Sequence, residues 1–571
     1  MLNDSASANT PFGISITHRA VSSGAEDELF RPYTIDTGMV ELVDYMGSDS
    51  TVERVATAGH GRHIFGTAAL NQGELINYLV AKGITDPFRF VQMKFNLRCP
   101  IEAALVFVYA REASVNEYSG RYSTMLESGE HLTPTKLNQQ QNVDEIIKIY
   151  ESTRENNAQQ YKKLLSIDFA RELARSGLGI NNDTKFFWKI DLLSFVNLYQ
   201  RAQKFLKHDE IMHSYLDELA SITRRLAPLA WDALINPLEN IPILQVPSDD
   251  EVVDAPLCKA STASALTKRV TVQTIEDLLF KQIPLFGEIS QGHGAVQAVE
   301  YMGDDSALAQ AARVSYGQGT KKRQDDIQLI HSLVRDEHTS PIEMAELAVE
   351  SKLPVFSDPR QAGRHRTLDM HGFMGYTPIG SQSYKPDNSQ MMYQDRKDRQ
   401  GRSVLMTPED QEIVRLTQST SYENAINAAQ QLRTLGASET IVRKNKGVGF
   451  FTRGSRTGDA LNWARFFKLR SDPHAQYEVR VYSHAVEQLY KAQLPHTFDA
   501  FRTYMLDALK FSTHEQSVLS KIDIEALRTV ILADNRFSKP KKDAPLEREP
   551  TREGEGFLKK LEQLKRDRIN L

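Results

Sequence analysis

The sequence predicts an α+β fold present twice in tandem. Three observations lead there. At 571 residues the chain is too long for one ordinary domain of about 100–200 residues. The eight-residue segment from Val43 to Ser50 returns from Val299 to Ser306 with six positions identical, at a spacing of 256. Helix-period and strand-period apolar patterns both occur within the copies.

The repeat extends beyond that segment. Leu75-Ile76-Asn77-Tyr78-Leu79-Val80 is matched by Leu329-Ile330-His331-Ser332-Leu333-Val334, Asp86-Pro87-Phe88 by Ser340-Pro341-Ile342, and Arg98-Cys99-Pro100-Ile101 by Lys352-Leu353-Pro354-Val355, all at a spacing of 254. Residues 1–30 are rich in Ser, Ala and Asn and read as a disordered extension. The first copy is expected over 31–240, a proline-containing acidic linker over 241–268, and the second copy over 269–537. Residues 386–410 form a polar insertion peculiar to the second copy, and 538–571 a charged tail ending in a short helical pattern. Apolar spacing predicts helices at 73–80, 327–334 and 477–489, with long helical patterns over 139–175 and 415–437. Partial alternation predicts a strand over 90–97.

Composition narrows the function classes. Hydrophobic residues make 40% and charged residues 25%, the balance of a water-soluble globular chain. A net charge of -5 disfavours a nucleic-acid partner. No run of 18 apolar residues exists to span a membrane, and residues 1–25 carry no continuous apolar leader, so a cytoplasmic location is expected. Two cysteines, Cys99 and Cys258, do not make a disulfide scaffold or a cysteine-built metal site, and no metal site is expected. No P-loop and no GxGxxG between a strand and a helix is present.

Two segments carry chemistry. Ser114-Val115-Asn116-Glu117-Tyr118-Ser119-Gly120-Arg121-Tyr122-Ser123 packs hydroxyls, a carboxylate, a glycine and an arginine together. Gly120 admits close backbone approach to a ligand, with Ser119 and Arg121 as phosphate donors beside it. In the second copy Arg364-His365-Arg366 follows Gln361, a concentrated cationic donor set suited to a dianion or an anionic cofactor. Taken alone, each segment also reads as a solvated turn or a charged helix face.

Taken together, these segments resemble the flavin-dependent thymidylate synthases, over about 40–235 and 295–500. That family carries Arg-His-Arg and the Ser-Gly-Arg loop in one continuous signature. Here the signature is split. The first copy has Tyr109-Ala110-Arg111 where Arg-His-Arg belongs, and the second has Met374 for the signature serine and His371-Gly372 for the Asn-Glu pair. The Arg-Val-Ser-Tyr element stands as Arg313-Val314-Ser315-Tyr316 only in the second copy. So does the His-x-Thr/Ser-Pro-x-Glu element, as His338 to Glu343, where the first copy has Arg89 for the Glu. The late Leu-Arg-x-Asp-x-His-Ala-Gln element is Leu469 to Gln476, and the amide near the flavin matches Asn197, with Arg465 opposite it in the second copy.

The resemblance implies conversion of dUMP to dTMP with FAD, NADPH and methylenetetrahydrofolate. It implies Glu117, Ser119, Gly120, Arg121, Gln361, Arg364, Arg175, Arg443 and Arg470 as dUMP-binding residues. For FAD it implies Ser315, His338, Ser340, Glu343, Arg364, His365, Arg366, Asn197 and His474. Arg470 is the candidate for activating the uracil ring, and no protein nucleophile is needed, because the flavin carries the chemistry. Because the losses in the two copies are complementary, composite sites between copies follow, in a homodimer that imitates the family's tetramer. Two alternatives stay open: a non-catalytic flavin- or nucleotide-binding scaffold, and a related flavin enzyme acting on another pyrimidine.

Overall fold

The computed structural model describes residues 20–21, 29–35, 38–60, 71–108, 110, 112–118, 142–169, 171–205, 210–238, 269–270, 279–286, 294–314, 323–357, 368–371, 381–394, 402–437, 441–442, 446–508, 511–519, 524–535, 537–541, 548–551, 554–558 and 560. In the first half, β1 (Tyr33–Ile35), β2 (Gly38–Met46), β3 (Gln92–Pro100), β4 (Ser114–Glu117) and β5 (Asp183–Asp191) form an antiparallel sheet ordered β1-β2-β3-β5-β4. Helices α1 (Asp49–His60) and α2 (Gln72–Ala81) lead from β2 to β3. After β3 comes α3 (Ile101–Val108), before β5 comes α4 (Val143–Ser166), and α5 (Leu192–Phe205), α6 (Glu210–Leu226) and α7 (Pro228–Ile235) close the half.

The second half repeats this plan. Strands β6 (Ile283–Leu285), β7 (Gly294–Met302), β8 (Glu346–Pro354), β9 (Asp369–His371) and β10 (Phe451–Asp459) take the order β6-β7-β8-β10-β9. Its helices are α8 (Asp305–Val314), α9 (Arg323–Arg335), α10 (Pro408–Thr434), α11 (Ala460–Arg470), α12 (Tyr477–Gln493) and α13 (Pro495–Phe501). The tandem α+β duplication read from the sequence is therefore the architecture observed.

Local chemistry sets the element ends. The strand expected over 90–97 runs Gln92–Pro100, because Pro87 opens a 3-10 turn over Asp86–Phe90 just before it. The long pattern from 139 stops at Ser166, and Asp168 then takes a left-handed φ of 56° that ends the helix. Helix α10 starts earlier than expected, where the Thr407 side chain accepts from the Asp410 amide. The polar insertion contains a small hairpin, Met392–Gln394 with Arg402–Leu405.

Each sheet buries one face in its own half. Met93, Phe95, Leu97 and Cys99 of β3 join Phe186, Trp188 and Ile190 of β5 in the first core, and Leu347, Val349 and Leu353 of β8 pack with Trp463, Tyr482 and Val486 in the second. Each such side chain contributes about 1.5–3 kcal/mol on full burial. The opposite face of each sheet is mainly polar and turns toward the other half, with Phe187 of β5 as an apolar exception that packs into the second core. Glu41, Lys94, Asn96 and Lys189 lie on the first such face, and Gln297, Glu346, Glu350 and Thr457 on the second, all buried.

The join between halves is hydrogen-bonded and ionic around a small apolar seam. Lys189 Nζ lies 2.6 Å from Glu346 Oε2, and Thr457 Oγ1 donates to Glu346 Oε1 at 2.9 Å. The Lys94 ammonium donates to the Met344 carbonyl at 3.4 Å, and the Gly303 amide donates to Asp44 Oδ2 at 2.9 Å. Met46, Val55 and Phe90 meet Val299, Met302 and Ala348 in the seam. Burial alone would lower Lys189, but Glu346, with Asp459 and Glu343, raises it instead, so it stays charged. Burial pushes Glu346 up to about 7 against the pull of Lys189.

The repeated segment now has a physical explanation. Tyr45 and Tyr301 pack in the two cores, and Met46 and Met302 in the seam. Gly47 and Gly303 take φ values of +81° and +79°, where a Cβ on Gly47 would meet the Phe90 carbonyl oxygen at 2.6 Å. Asp49 accepts from the amides of Leu229 and Ala230 at the start of α7, and Asp305 accepts from those of His496 and Thr497 at the start of α13. The segment ties the first helix of each half to its last. Its first residue, Val43 in one copy and Val299 in the other, is the extra residue of a bulge.

Contacts divide the chain after Leu506, so residues 507–537, expected with the second copy, group with the charged tail. This second unit contains α14 (Thr513–Leu519), α15 (Ile524–Ala533) and a hairpin of Ser538–Pro540 with Arg548–Pro550, where Arg548 Nε donates to Ser538 Oγ at 2.6 Å. At the other end, Leu29 and Leu279 are buried in the two cores, so both copies begin slightly before strand β1 or β6. Most of the extension over 1–30 and all of the linker over 241–268 lie outside the described residues; Ala20–Val21 pairs with Arg269–Val270.

Two stability tests follow. Lys189→Met leaves Glu346 buried without its cation and is expected to cost about 3–5 kcal/mol, while Lys189→Met with Glu346→Met recovers most of it. Denaturant unfolding of both variants measures this; equal midpoints for wild type and the single variant would remove the pair from its role. Glu41 accepts from Asn96 at 2.8 Å, yet burial raises its carboxyl from 4.5 to about 7. Between those values the folded state holds a proton that the unfolded chain has released, so this group makes stability fall as pH rises. Glu41→Gln should therefore match wild type near pH 4 and exceed it at pH 8, by on the order of 2–3 kcal/mol.

Candidate active site between the two halves

Strand β4 brings the described part of the Ser114 segment to the join. Alternation along it sends Ser114 and Asn116 toward the second half, while Val115 packs on the first core. There they meet the turn from His338 to Glu343. Ser340 Oγ donates to Asn116 Oδ1 at 3.0 Å, and Asn116 Nδ2 donates to the Ala311 carbonyl at 2.5 Å. Ser114 hydrogen-bonds the Glu343 carboxylate. One segment of each half, singled out separately in the sequence, thus forms a single joint.

The turn itself is shaped by its backbone. Glu337 takes a left-handed φ of 56°, and the His338 amide donates back to the Leu333 carbonyl at 2.9 Å, ending α9. The first half has Gly83 at that place, with φ +67°. A left-handed non-glycine residue is costly, and it sits here directly before the half-buried Ser340 and Glu343. His338 is exposed.

Carboxylates gather beside this turn. Asp459 caps α11 by accepting from the Asn462 amide at 2.8 Å. Burial raises the Glu343 carboxyl, and Asp459 raises it further, while Lys189, Ser114 and Arg465 oppose the shift. Arg465 is exposed and donates to Asn462 Oδ1 at 3.3 Å. Arg470 is half-buried at the end of α11. His474 is almost fully exposed in the following turn, with Nδ1 2.8 Å from Asp472 Oδ1.

Both halves match a family model described as thymidylate synthase complementing protein, over residues 41–229 and 297–496. The chain belongs to that family. Among its relatives, a flavin-dependent thymidylate synthase of Ehrlichia ruminantium (strain Gardel) is 34% identical over 260 residues, covering 45% of this chain and 86% of the relative. One of Gluconobacter oxydans (strain 621H) is 38% identical over 43% of this chain and 81% of its own. One of Rickettsia conorii is 31% identical over 46% and 98%. Each relative is spanned by less than half of this chain, as a duplication requires. A solved UMP/dUMP methylase from Streptomyces cacaoi is 26% identical over 37% of this chain and 94% of that one, at a TM-score of 0.34, too low to carry a geometric argument.

Within this chain the two pseudo-equivalent joints are wired differently. Opposite Glu343 and Asp459 stand Arg89 and Asp191, and these pair: Arg89 NH1 lies 3.3 Å from both Asp191 Oδ2 and Ser194 Oγ. An ion pair stands at the place where the other joint has the half-buried carboxyl of Glu343.

Other expected site residues scatter. Glu117 is exposed and accepts from Thr184 Oγ1 at 2.7 Å, on the strand face away from Asn116. Arg175 and Asn197 are exposed, Arg175 on a 3-10 turn and Asn197 on α5. Ser119, Gly120, Arg121, Ser315, Gln361, Arg364, His365, Arg366 and Arg443 lie outside the described residues. Sequence reasoning passed over Ser114, Asn116 and Lys189 as site residues. The signature named the first two, but only the strand register shows that they point across the join.

Cys99, expected as a small buried core residue, is that: it is fully buried in β3, and burial pushes its thiol well above the usual range, with Asp183 and Glu117 adding to the effect. A thiolate nucleophile there is disfavoured. In native protein, Cys99 should resist a thiol reagent and react only after denaturation, read by peptide mapping; fast labelling of the native protein would contradict this environment.

Proposed function

We propose that the chain is a flavin-dependent thymidylate synthase converting dUMP to dTMP, with its site built jointly by the two halves. The observation that carries the reading is the joint of Ser114 and Asn116 with Ser340 and Glu343, in a chain of this family. Its chemistry suits FAD. Ser340 offers a hydroxyl, His338 an exposed imidazole, and Glu343 a half-buried carboxyl able to accept or donate a hydrogen bond. These residues would hold the cofactor's polar groups, with Arg364, His365 and Arg366 supplying positive charge toward its anionic part.

When bound, the flavin supplies hydride and one-carbon transfer, with NADPH and methylenetetrahydrofolate as co-substrates. The chain's own residues bind and orient. Ser119, Gly120 and Arg121 would hold the dUMP phosphate, with Gln361 and Arg364 from the other half. Arg470, at the carboxyl end of α11, would stabilise negative charge developing on a uracil carbonyl. Ser114 holds Glu343 in place from across the join. The Arg89 and Asp191 pair leaves the reciprocal joint without an acid at Glu343's position, so one live site per chain is the reading, in a homodimer.

Mixing two inactive variants tests the composite site. Arg121→Ala is expected to keep its yellow colour and lose dTMP formation, since the cationic set for FAD is in the other half. Arg364→Ala loses activity as well. Flavin content of the wild type should be one FAD per chain. Two FAD per chain, or full activity in either variant, would refute the composite reading. Recovery on mixing the variants would place each site between chains, and no recovery would place it within one.

A further inference from the structure

We propose that Asn116 is the positioning residue that sets the spacing of the site's three segments; this deepens the composite-site reading and rests on it. The inference comes from where its amide goes. Asn116 is buried at 5% exposure, on a strand of the first half, yet both its bonds end in the second half. Its Nδ2 donates to the carbonyl of Ala311, in the last turn of α8 (Asp305–Val314). Carbonyls of a last helical turn lack partners within the helix. A side chain of one half therefore caps a helix of the other. Its Oδ1 accepts from Ser340 Oγ at 3.0 Å, so donor and acceptor are both used and the orientation of the amide is fixed.

Three segments converge on this one group. The chain leaves Asn116 through Glu117 and Tyr118 directly into Ser119-Gly120-Arg121. Helix α8 ends at Val314, one residue before Ser315. Ser340 belongs to the turn that carries His338 and Glu343. Asn116, at the strand that leads to the proposed substrate loop, Ala311, in the last turn of α8, and Ser340, in the His-to-Glu turn, are thus held together by one carboxamide. Asparagine fits because it offers a donor and an acceptor side by side on a short stem, with little rotamer freedom to lose.

The reciprocal joint shows the same place without the amide. Asn116 pairs with Phe187 of β5, and the residue pairing with the equivalent position of β10, Ser455, is His371. Asp86 stands where Ser340 does. The residues able to form the clasp are kept only at the joint that keeps Glu343.

Four variants test this in the full-length flavoprotein: Asn116→Ala, Asn116→Asp, Ser340→Ala, and Asn116→Ala combined with Ser340→Ala. The readouts are melting temperature, FAD affinity by fluorescence, dUMP affinity by calorimetry, and kcat and KM for dUMP. Two neutral hydrogen bonds and a small displacement of reacting groups give an expected loss of about tenfold or more in kcat/KM for Asn116→Ala. FAD or dUMP affinity should weaken with it, and the protein should stay folded at the assay temperature. Asn116→Asp keeps the acceptor for Ser340 and loses the donor to Ala311, so it should fall between. Ser340→Ala breaks the same contact from the other side, so the losses from Asn116→Ala and Ser340→Ala should fall short of adding in the double variant. Wild-type affinity and turnover in folded Asn116→Ala would overturn the proposal, as would additive losses from Asn116→Ala and Ser340→Ala. If the wild type forms no dTMP, the reading of function fails. The binding measurements still decide the clasp: unchanged ligand affinities in Asn116→Ala sink it, and weakened ones sustain it.

Discussion

Burying two charged sheet faces against each other is the constraint on which this molecule turns. Each half has one apolar sheet face, covered by its own helices, and one face carrying Glu, Lys, Asn and Gln. Such a face is tolerable in the interior only when its charges are matched and its polar atoms bonded. The halves supply each other's partners: Lys189 for Glu346, Asp44 for the Gly303 amide, and Asn116 for the Ala311 carbonyl. The joint that holds the candidate site is part of this exchange, so the proposed chemistry and the cohesion of the halves draw on the same contacts.

Much of the fold was legible from repetition and period alone. The segment from Val43 to Ser50 and its copy announced the duplication, and they do so because they perform structural work that cannot drift: a left-handed glycine, a seam methionine and an aspartate that caps a distant helix. That makes it a poor guide to the active site. Boundaries were less legible. Asp168 ends a helix through a backbone conformation that aspartate does not require, and the unit after Leu506 has no compositional edge to mark it.

The candidate site was legible as motifs but not as a place. The sequence showed that Ser114 to Ser123 and His338 to Glu343 each looked functional, and that the first half's Arg89 broke the pattern. It could not show that Ser340 reaches Asn116, because that contact joins residues 224 positions apart and depends on strand register. Glu117, beside Asn116 in sequence, points the other way for the same reason. Lys189 gave no motif at all, since its meaning lies in the three carboxylates that surround it.

The unlike wiring of the two joints has an evolutionary consequence. In an assembly of identical subunits, any substitution appears at every equivalent interface at once, so an arginine at Glu343's position would stand at all of them. Fusing two copies into one polypeptide breaks that coupling. The tether also keeps the unlike halves together at high effective concentration, so their pairing does not depend on expression level. On the proposed reading, the face with the Arg89 and Asp191 pair answers to cohesion alone, while the face bearing Asn116, Ser340 and Glu343 answers to a ligand as well. Two genealogically identical surfaces could thereby divide inherited duties between them, a freedom that a single-copy ancestor lacked.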